Sequence, residues 1–553
     1  MPNGLKIHIA SIFALALFSA DAVGEEKKEK VKPAPGHSHV GESFDEGPRQ
    51  SAIKVDGTGD VHFPITTNWS RGQQMFDQGM GQLHGFWYYE AERTFRQIAA
   101  EDPDCAMAYW GMSMANWENS KRSKGFIAKA SELKDKVTER EKLYISAQQA
   151  FLADEPKDVK KRRQKLIEDI ENIIHEYPND VEAKAILVVR LWQFSHRGIP
   201  IGSRESVDAL MQQIFKDNPL HPAHHFRIHL WDGKKPSRAL SSAAVLHQTA
   251  PSIAHMWHMS GHIYDKLKRY PESAYHQEAS ARIDHSKQSE FQVLPDKIHN
   301  YAHNNEWLVR NWNHIGRVDD AITMSKGLID NPQHPKLNHY GKGYSSSAFG
   351  RKRLIETLER YEKWEQILEL SKTHYLEPTN NEKLQSELML VIARSHFEMG
   401  DENSLNNVLN KIIERVSSAE KLKKEKKEEA KNKAEKEKKN KEETEKLVKE
   451  AGRSSEDKLK YLRSMRDELE VYRELLTGTK LNEDLAKKVK RKKTALAMLH
   501  LKYGDKDKAK EISLQAVNEG AKKVLPLAIY VHVLEMTGDQ DEAAKQFSIL
   551  EKN

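Results

Sequence analysis

A repeated interval constrains this chain more than any other feature. From Trp69 onward apolar residues recur with a helical period, and small, aromatic and helix-ending residues return at fixed offsets along them. Gly79, Ala91, Phe95 and Pro103 form the first set. A small residue on one helix lets a second helix approach, an alanine and an aromatic on the second fill the contact, and a proline ends it. The stretch AMAYWGMSMAN brings Tyr109 and Ser113 to matching places in phase, and Trp257 with Gly261 repeats them after Pro251. Gly316 before Ala321, Gly504 before Ala509 and Gly538 before Ala543 mark further turns, while looser helical pairs fill Asp154 to Ile199 and Gly350 to Arg415. One helix pair of roughly 34 to 45 residues cannot bury its apolar face alone, so the interval predicts an all-α solenoid of about eight to ten stacked pairs.

Composition fits that architecture. A chain of 553 residues that is 38% hydrophobic and 31% charged implies local cores between repeats rather than one large core. The single cysteine, Cys105, excludes an internal disulfide. Its 88 basic and 82 acidic residues are interspersed, so the net charge of +6 describes no nucleic-acid groove and no nucleic-acid partner is expected.

The domain plan follows composition. Residues 1–22 read as a signal peptide, with basic residues before a short apolar stretch and Ala20 and Ala22 spaced for cleavage. That stretch is shorter than the roughly 20 residues that span a bilayer. The mature chain is therefore expected to be periplasmic or secreted, and not transmembrane after cleavage. Residues 23–67, rich in Lys, Glu, Pro, Gly and His, read as a flexible leader. Helical repeats are expected over 68–416 and again over 457–553. Between them, 417–456 is a Lys/Glu-rich insert with opposite charges at i and i+4 but no apolar stripe, expected as a solvated helix or a disordered segment. Packing should resume near Leu459, Leu462, Met465, Leu469 and Tyr472.

The interval resembles the tetratricopeptide (TPR) pattern, with Gly79, Ala91, Phe95 and Pro103 at its positions 8, 20, 24 and 32. That resemblance gives the chain's 26 histidines a geometry. His225 and His229 stand four apart, and His255, His258 and His262 stand at i, i+3 and i+7, so each set forms a stripe on one helix. With Gly261 at position 8, His255, His258 and His262 take positions 2, 5 and 9, which in TPR proteins face the concave groove. Counting from Ala321, His303 and Glu306 take positions 2 and 5 of the next repeat. His229 stands where a small residue is expected, which leaves the register of its helix open by about one residue. His84, at position 13, is a further candidate for the same channel. Imidazoles from packed neighbouring helices suit a transition metal such as Zn, Cu or Fe, so of the metal candidates His225, His229, His258 and His262, one of the first pair and one of the second are expected to reach one ion. His84, His255, His303 and Glu306 are secondary groove candidates. Asp265, Glu278, Asp284 and Glu306 are the nearby carboxylates. The aromatics Phe86, Trp87, Tyr88, Tyr89, Tyr109, Trp110 and Trp117 read chiefly as core, with a ligand-stacking wall as the alternative. No HExxH, Gly-rich phosphate loop, G-x-S-x-G elbow or Cys-x-x-Cys is present.

The stretches HFRIH (225–229), HMWHMSGHIY (255–264) and YAHN (301–304), with the opening block FDQGMGQLHGFWYYEAERTFRQIAAEDPDCAMAYWG, resemble blocks of a bacterial family of exported TPR proteins that has no settled reaction. The resemblance spans about Ala52 to Pro335. It implies a TPR fold and export, and makes His225, His229, His258, His262 and His303 the motif-matching positions. The chain departs at Ser260-Gly261, where that family has Pro-Ser. Three functions are compatible: an exported scaffold whose concave groove holds a metal, a scaffold that takes a peptide or protein segment in that groove without metal, or a metal-free enzyme with His258 or His262 as general base.

Overall fold

The structure, a computed structural model, describes residue 43 and residues 46–298, 300–520 and 522–551, so the expected signal peptide and residues 23–42, 44 and 45 of the expected leader lie outside the described residues. Among the described residues there are 24 α-helices and no β-strand. The chain is an all-α, TPR-like solenoid. The chain opens with α1 (Gly72–His84), α2 (Tyr88–Glu101), α3 (Ala106–Ala115), α4 (Ser120–Glu132), α5 (Glu139–Leu152), α6 (Val159–Glu176), α7 (Val181–Ser195) and α8 (Arg204–Asp217). There follow α9 (His224–Trp231), α10 (Leu240–Thr249), α11 (Ala254–Lys266), α12 (Tyr270–Phe291), α13 (Tyr301–Ile315), α14 (Val318–Asp330), α15 (Ser346–Arg360) and α16 (Trp364–Leu370). Each helix packs on the next, and the first helices of successive pairs, α9 on α11 and α11 on α13, also touch. This is the nearest-neighbour pattern of a repeat protein. The pairs outnumber the eight to ten expected because several helices run only seven to ten residues.

The repeat glycines act where the interval placed them. A Cβ on Gly79 would lie 2.5 Å from the Phe95 ring, and one on Gly261 would lie 2.4 Å from the Gln277 amide, so each small residue admits the side chain of its partner helix. Phe95 is fully buried with Phe76, at 5.2 Å between ring centres.

Residues 46–67 correct the expectation of a flexible leader, because this stretch runs extended against the first helices. The Val55 amide donates to Gln78 (2.9 Å), that of Phe63 to Asp77 (2.9 Å) and that of Thr66 to Glu141 (2.7 Å). Val55, Val61 and Phe63 are buried, Phe63 against Phe76, Trp110 and Tyr144. A Cβ on Gly81 would lie 2.3 Å from the Thr58 carbonyl oxygen, so the strap approaches α1 more closely than a side chain there allows. Side chains, not a ladder, satisfy its backbone, which is why helical or strand periodicity does not reveal it.

Beyond α17 (Glu382–Glu398), the charged segment 417–456 belongs to two long helices, α18 (Glu402–Lys436) and α19 (Lys441–Leu476), which pack on each other. Most of the segment is exposed, and burial resumes at Leu459, Leu462, Met465, Leu469 and Tyr472. After α20 (Glu483–Lys488), α21 (Lys493–Tyr503) and α22 (Lys506–Glu519), helix α23 (Val524–Thr537) returns to touch α13, and α24 (Gln540–Leu550) ends the described fold. No helix among the described residues is long and apolar enough to cross a membrane.

Candidate functional site: three histidine groups

The packing does not group the two pairs around the expected shared ion. The candidate residues separate into three groups, each with ligand atoms within 4.8 Å of one another: His225, His229 and His255; His258, His262 and His303; and His84, Glu182 and His221.

The second group carries the sharpest chemistry. His258 and His262 lie one turn apart on α11 with their Nε2 atoms 2.8 Å apart. His258 Nδ1 donates to Gln277 Oε1 (2.6 Å), and the Gln277 amide nitrogen donates in turn to the His258 carbonyl (3.1 Å), which fixes the amide's orientation. His262 Nδ1 donates to the Asp232 carboxylate (3.2 Å). Both ring protons are thus committed on Nδ1, so the two Nε2 atoms present lone pairs to each other. A second proton would relieve this, but burial holds His258 well below the ordinary imidazole range and also lowers His262. His262 stacks on Trp307 with ring centres 4.0 Å apart. His303 completes the group, its ring 4.8 Å from that of His258. Glu306 sits behind it, 3.6 Å from His303 Nδ1 and bound to Arg353, so it backs His303 and does not line the group.

The first group is made of α9 and α11. His225 is fully buried, and its Nδ1 donates to the His84 carbonyl (2.6 Å). Its Nε2 lies 3.0 Å from His229 Nε2. Burial holds His229 well below its usual pKa, with His225 and His262 adding to the effect. The His229 ring stacks on Trp192 at 4.1 Å. Phe86 packs edge-on to His225 (4.4 Å) from a left-handed turn residue, φ 56°, a conformation that costs energy for a bulky side chain. His255 lies 4.9 Å from His225, ring to ring.

His84 does not line this channel. With His221 it grips Glu182, His84 Nε2 donating to one carboxylate oxygen (2.7 Å) and His221 Nε2 to the other (2.9 Å). His221 Nδ1 accepts the Ala223 amide proton (3.0 Å), so its tautomer is set. Burial alone would raise the Glu182 carboxyl, but the two histidines hold it well below the usual carboxylate range. Every proton here has an acceptor, so the group is a closed clasp between α1, α7 and the turn before α9.

The first two groups open onto one cavity of about 680 Å³ lined in part by Phe86, Trp192, His229, His255, His262 and His303. Of the early aromatics, Phe86, Tyr88 and Trp117 face this cavity, while Trp87, Tyr109 and Trp110 are buried core. Sequence reasoning missed His221, Glu182, Gln277, Asp232 and Trp307. Gln277 alone carried a signal, since it faces the position-8 glycine. The other carboxylates named from sequence serve elsewhere: Asp265 pairs with Arg310, Glu278 with Arg282 and Arg317, and Asp284 accepts from Asn304.

No protein-family model and no curated protein matches the chain. Solved structures similar to it include Naa15/Naa10 bound to HypK-THB, with TM-score 0.26, 12% identity and coverage of 87% of this chain and 64% of that one. The human IFIT1 dimer with m7Gppp-AAAA gives TM-score 0.29 and 10% identity over 85% of this chain and 94% of that one. The P58(IPK) TPR domain gives TM-score 0.20 and 10% identity over 88% and 93%. The chain thus spans under two thirds of the length of the first of these.

Proposed function

We propose that this chain is an exported bacterial TPR-type scaffold whose concave cavity carries a transition-metal centre on His258, His262 and His303. The observation that carries it is the 2.8 Å approach of two Nε2 atoms whose rings already donate from Nδ1. Two facing lone pairs repel, and a cation between them turns that repulsion into ligation. Imidazole ligands of a metal characteristically donate their other ring nitrogen to an oxygen, the role of Gln277 and Asp232 here. Neutral imidazoles suit Zn, Cu or Fe. Export rests on the signal-peptide pattern of residues 1–22 and on the family resemblance of the histidine blocks.

The test is metal content by mass spectrometry on the mature chain, purified without an affinity tag, beside a His258→Ala, His262→Ala variant. Near-stoichiometric metal that falls by an ion per chain in the variant is the expected result. Equal metal in both, or none in either after reconstitution with Zn2+, contradicts it. One observation favours a second reading, a groove for a peptide or protein segment. Asp296 lines the cavity with both carboxylate oxygens buried, no hydrogen bond among the described residues and Lys297 3.6 Å away as its counter-charge, an acceptor suited to a ligand's N–H groups. Failure of metal binding, with an extended peptide binding in the cavity, would establish that function instead.

A further inference from the structure

We infer that the solenoid builds the metal-holding device twice, one repeat apart, so that His225, His229 and His255 hold a second ion beside the one held by His258, His262 and His303. This rests on the reading of the latter trio as a metal site and extends it to a binuclear, imidazole-only centre.

The two trios share their layout, although the Nδ1 acceptor that Asp232 gives His262 has no counterpart at His229 among the described residues. Each takes an i, i+4 pair from the first helix of one repeat and a third histidine from the first turn of the corresponding helix of the next. His225 and His229 lie on α9 with His255 at the start of α11, and His258 and His262 lie on α11 with His303 at the start of α13. The paired Nε2 atoms approach to 3.0 Å in one and 2.8 Å in the other. The first histidine of each pair donates from Nδ1 to a fixed oxygen, the His84 carbonyl or Gln277 Oε1, at 2.6 Å in both. The second histidine of each pair stacks flat on a tryptophan, His229 on Trp192 (4.1 Å, 25°) and His262 on Trp307 (4.0 Å, 16°). The supporting groups come from different directions, Trp192 on α7 and Trp307 on α13, the acceptors from His84 on α1 and Gln277 on α12. What the solenoid repeats is the i, i+4 pair with its third histidine from the next repeat.

The trios also meet. The His255 ring stacks 5.6 Å from that of His258, and His229, His255, His262 and His303 share one cavity wall. The ligand class is accordingly a pair of borderline divalent cations such as Zn2+ or Cu2+, since six imidazoles without a thiolate or carboxylate disfavour Mg2+ and Ca2+. Both cations are reachable by one small molecule in the cavity.

The experiment is a cobalt count. The full mature chain is stripped with a chelator, loaded with excess Co2+, desalted and measured for cobalt per chain, with a His225→Ala, His229→Ala variant and a His258→Ala, His262→Ala variant alongside. Two ions in the wild type and one in each variant is the expected result. One ion in the wild type, unchanged in His225→Ala, His229→Ala, overturns the inference and leaves the first site standing; no cobalt in any sample overturns both. Because His225 is fully buried, that variant risks misfolding. Electron paramagnetic resonance of the Cu2+-loaded wild type decides in that event: a half-field signal from two neighbouring Cu2+ ions supports the pair, and isolated Cu2+ alone overturns it.

Discussion

Two groups of three residues in this solenoid contain the same kind of side chain and lead to opposite chemistry. In the His84–Glu182–His221 clasp, each imidazole proton points at a carboxylate oxygen and the group is complete as it stands. In the His258–His262–His303 group, the protons point outward to Gln277 and Asp232 and the lone pairs point inward at each other. The clasp is fully buried, whereas in the second group only His258 is, with His262 and His303 partly exposed. The count of histidines does not separate a structural group from the one proposed to bind a metal; the placement of their protons does. Here the carboxylate takes both ring protons and closes its cluster, whereas acceptors outside the other group leave its Nε2 lone pairs facing inward.

The comparison breaks most visibly at Glu182. Glu182→Ala leaves two buried N–H groups without an acceptor, and we expect a loss of about 3–5 kcal/mol in denaturant unfolding. Added Zn2+ should not restore it, and a loss under about 1 kcal/mol would show that the clasp is not structural. Acid sharpens the contrast next. His276 packs at a distance from the proposed ligands, beside Tyr264 and facing His247 and Glu272, and burial, aided by His247, lowers its pKa to about 4. A folded pKa below the unfolded value of roughly 6.5 means that the unfolded chain takes up protons first. Stability is therefore full above pH about 6.5 and falls toward pH 4, by roughly 3 kcal/mol from this residue. Unfolding curves of His276→Gln and wild type across that range check it: the variant's curve should be flatter, and parallel curves would contradict it.

The ligand group should respond to metal and not to its own deletion. We expect His258→Ala, His262→Ala to unfold near the metal-free wild type. Zn2+ at about 100 times its Kd should stabilise the wild type by about 2.7 kcal/mol, reduced or absent in the variant. Equal stabilisation of both proteins would show that Zn2+ acts elsewhere. The smallest effect belongs to Gly261→Ala. Its Cβ would displace the Gln277 amide that orients His258, and loss of such a supporting contact typically costs 10–100-fold in metal affinity. Unchanged Zn2+ affinity by competition titration would remove Gln277 from the site.

How much of this was legible in the sequence depended on whether a feature repeats. Gly79 with Phe95 and Gly261 with its partner helix were visible because the TPR interval fixes which residues meet, and the same register brought His255, His262 and His303 to one face. What the interval does not encode stayed hidden. Glu182 and His221 meet His84 across 98 and 137 positions of chain, a pairing set by superhelical stacking and not by local period. The strap over residues 46–67 has too few apolar residues to look folded, yet Val55, Val61 and Phe63 suffice once helix side chains satisfy its backbone. In place of the expected ion shared between the pairs there are two trios, because neighbouring repeats lie side by side and each i, i+4 pair takes its third histidine from the next repeat.

The most direct measurement is X-ray absorption at the zinc edge on the Zn2+-loaded full mature chain. An ion held by His258, His262 and His303 gives a first shell dominated by nitrogen at about 2.0–2.1 Å, with the outer-shell scattering of imidazole rings. A shell of oxygen alone, without imidazole scattering, would contradict a histidine-built centre.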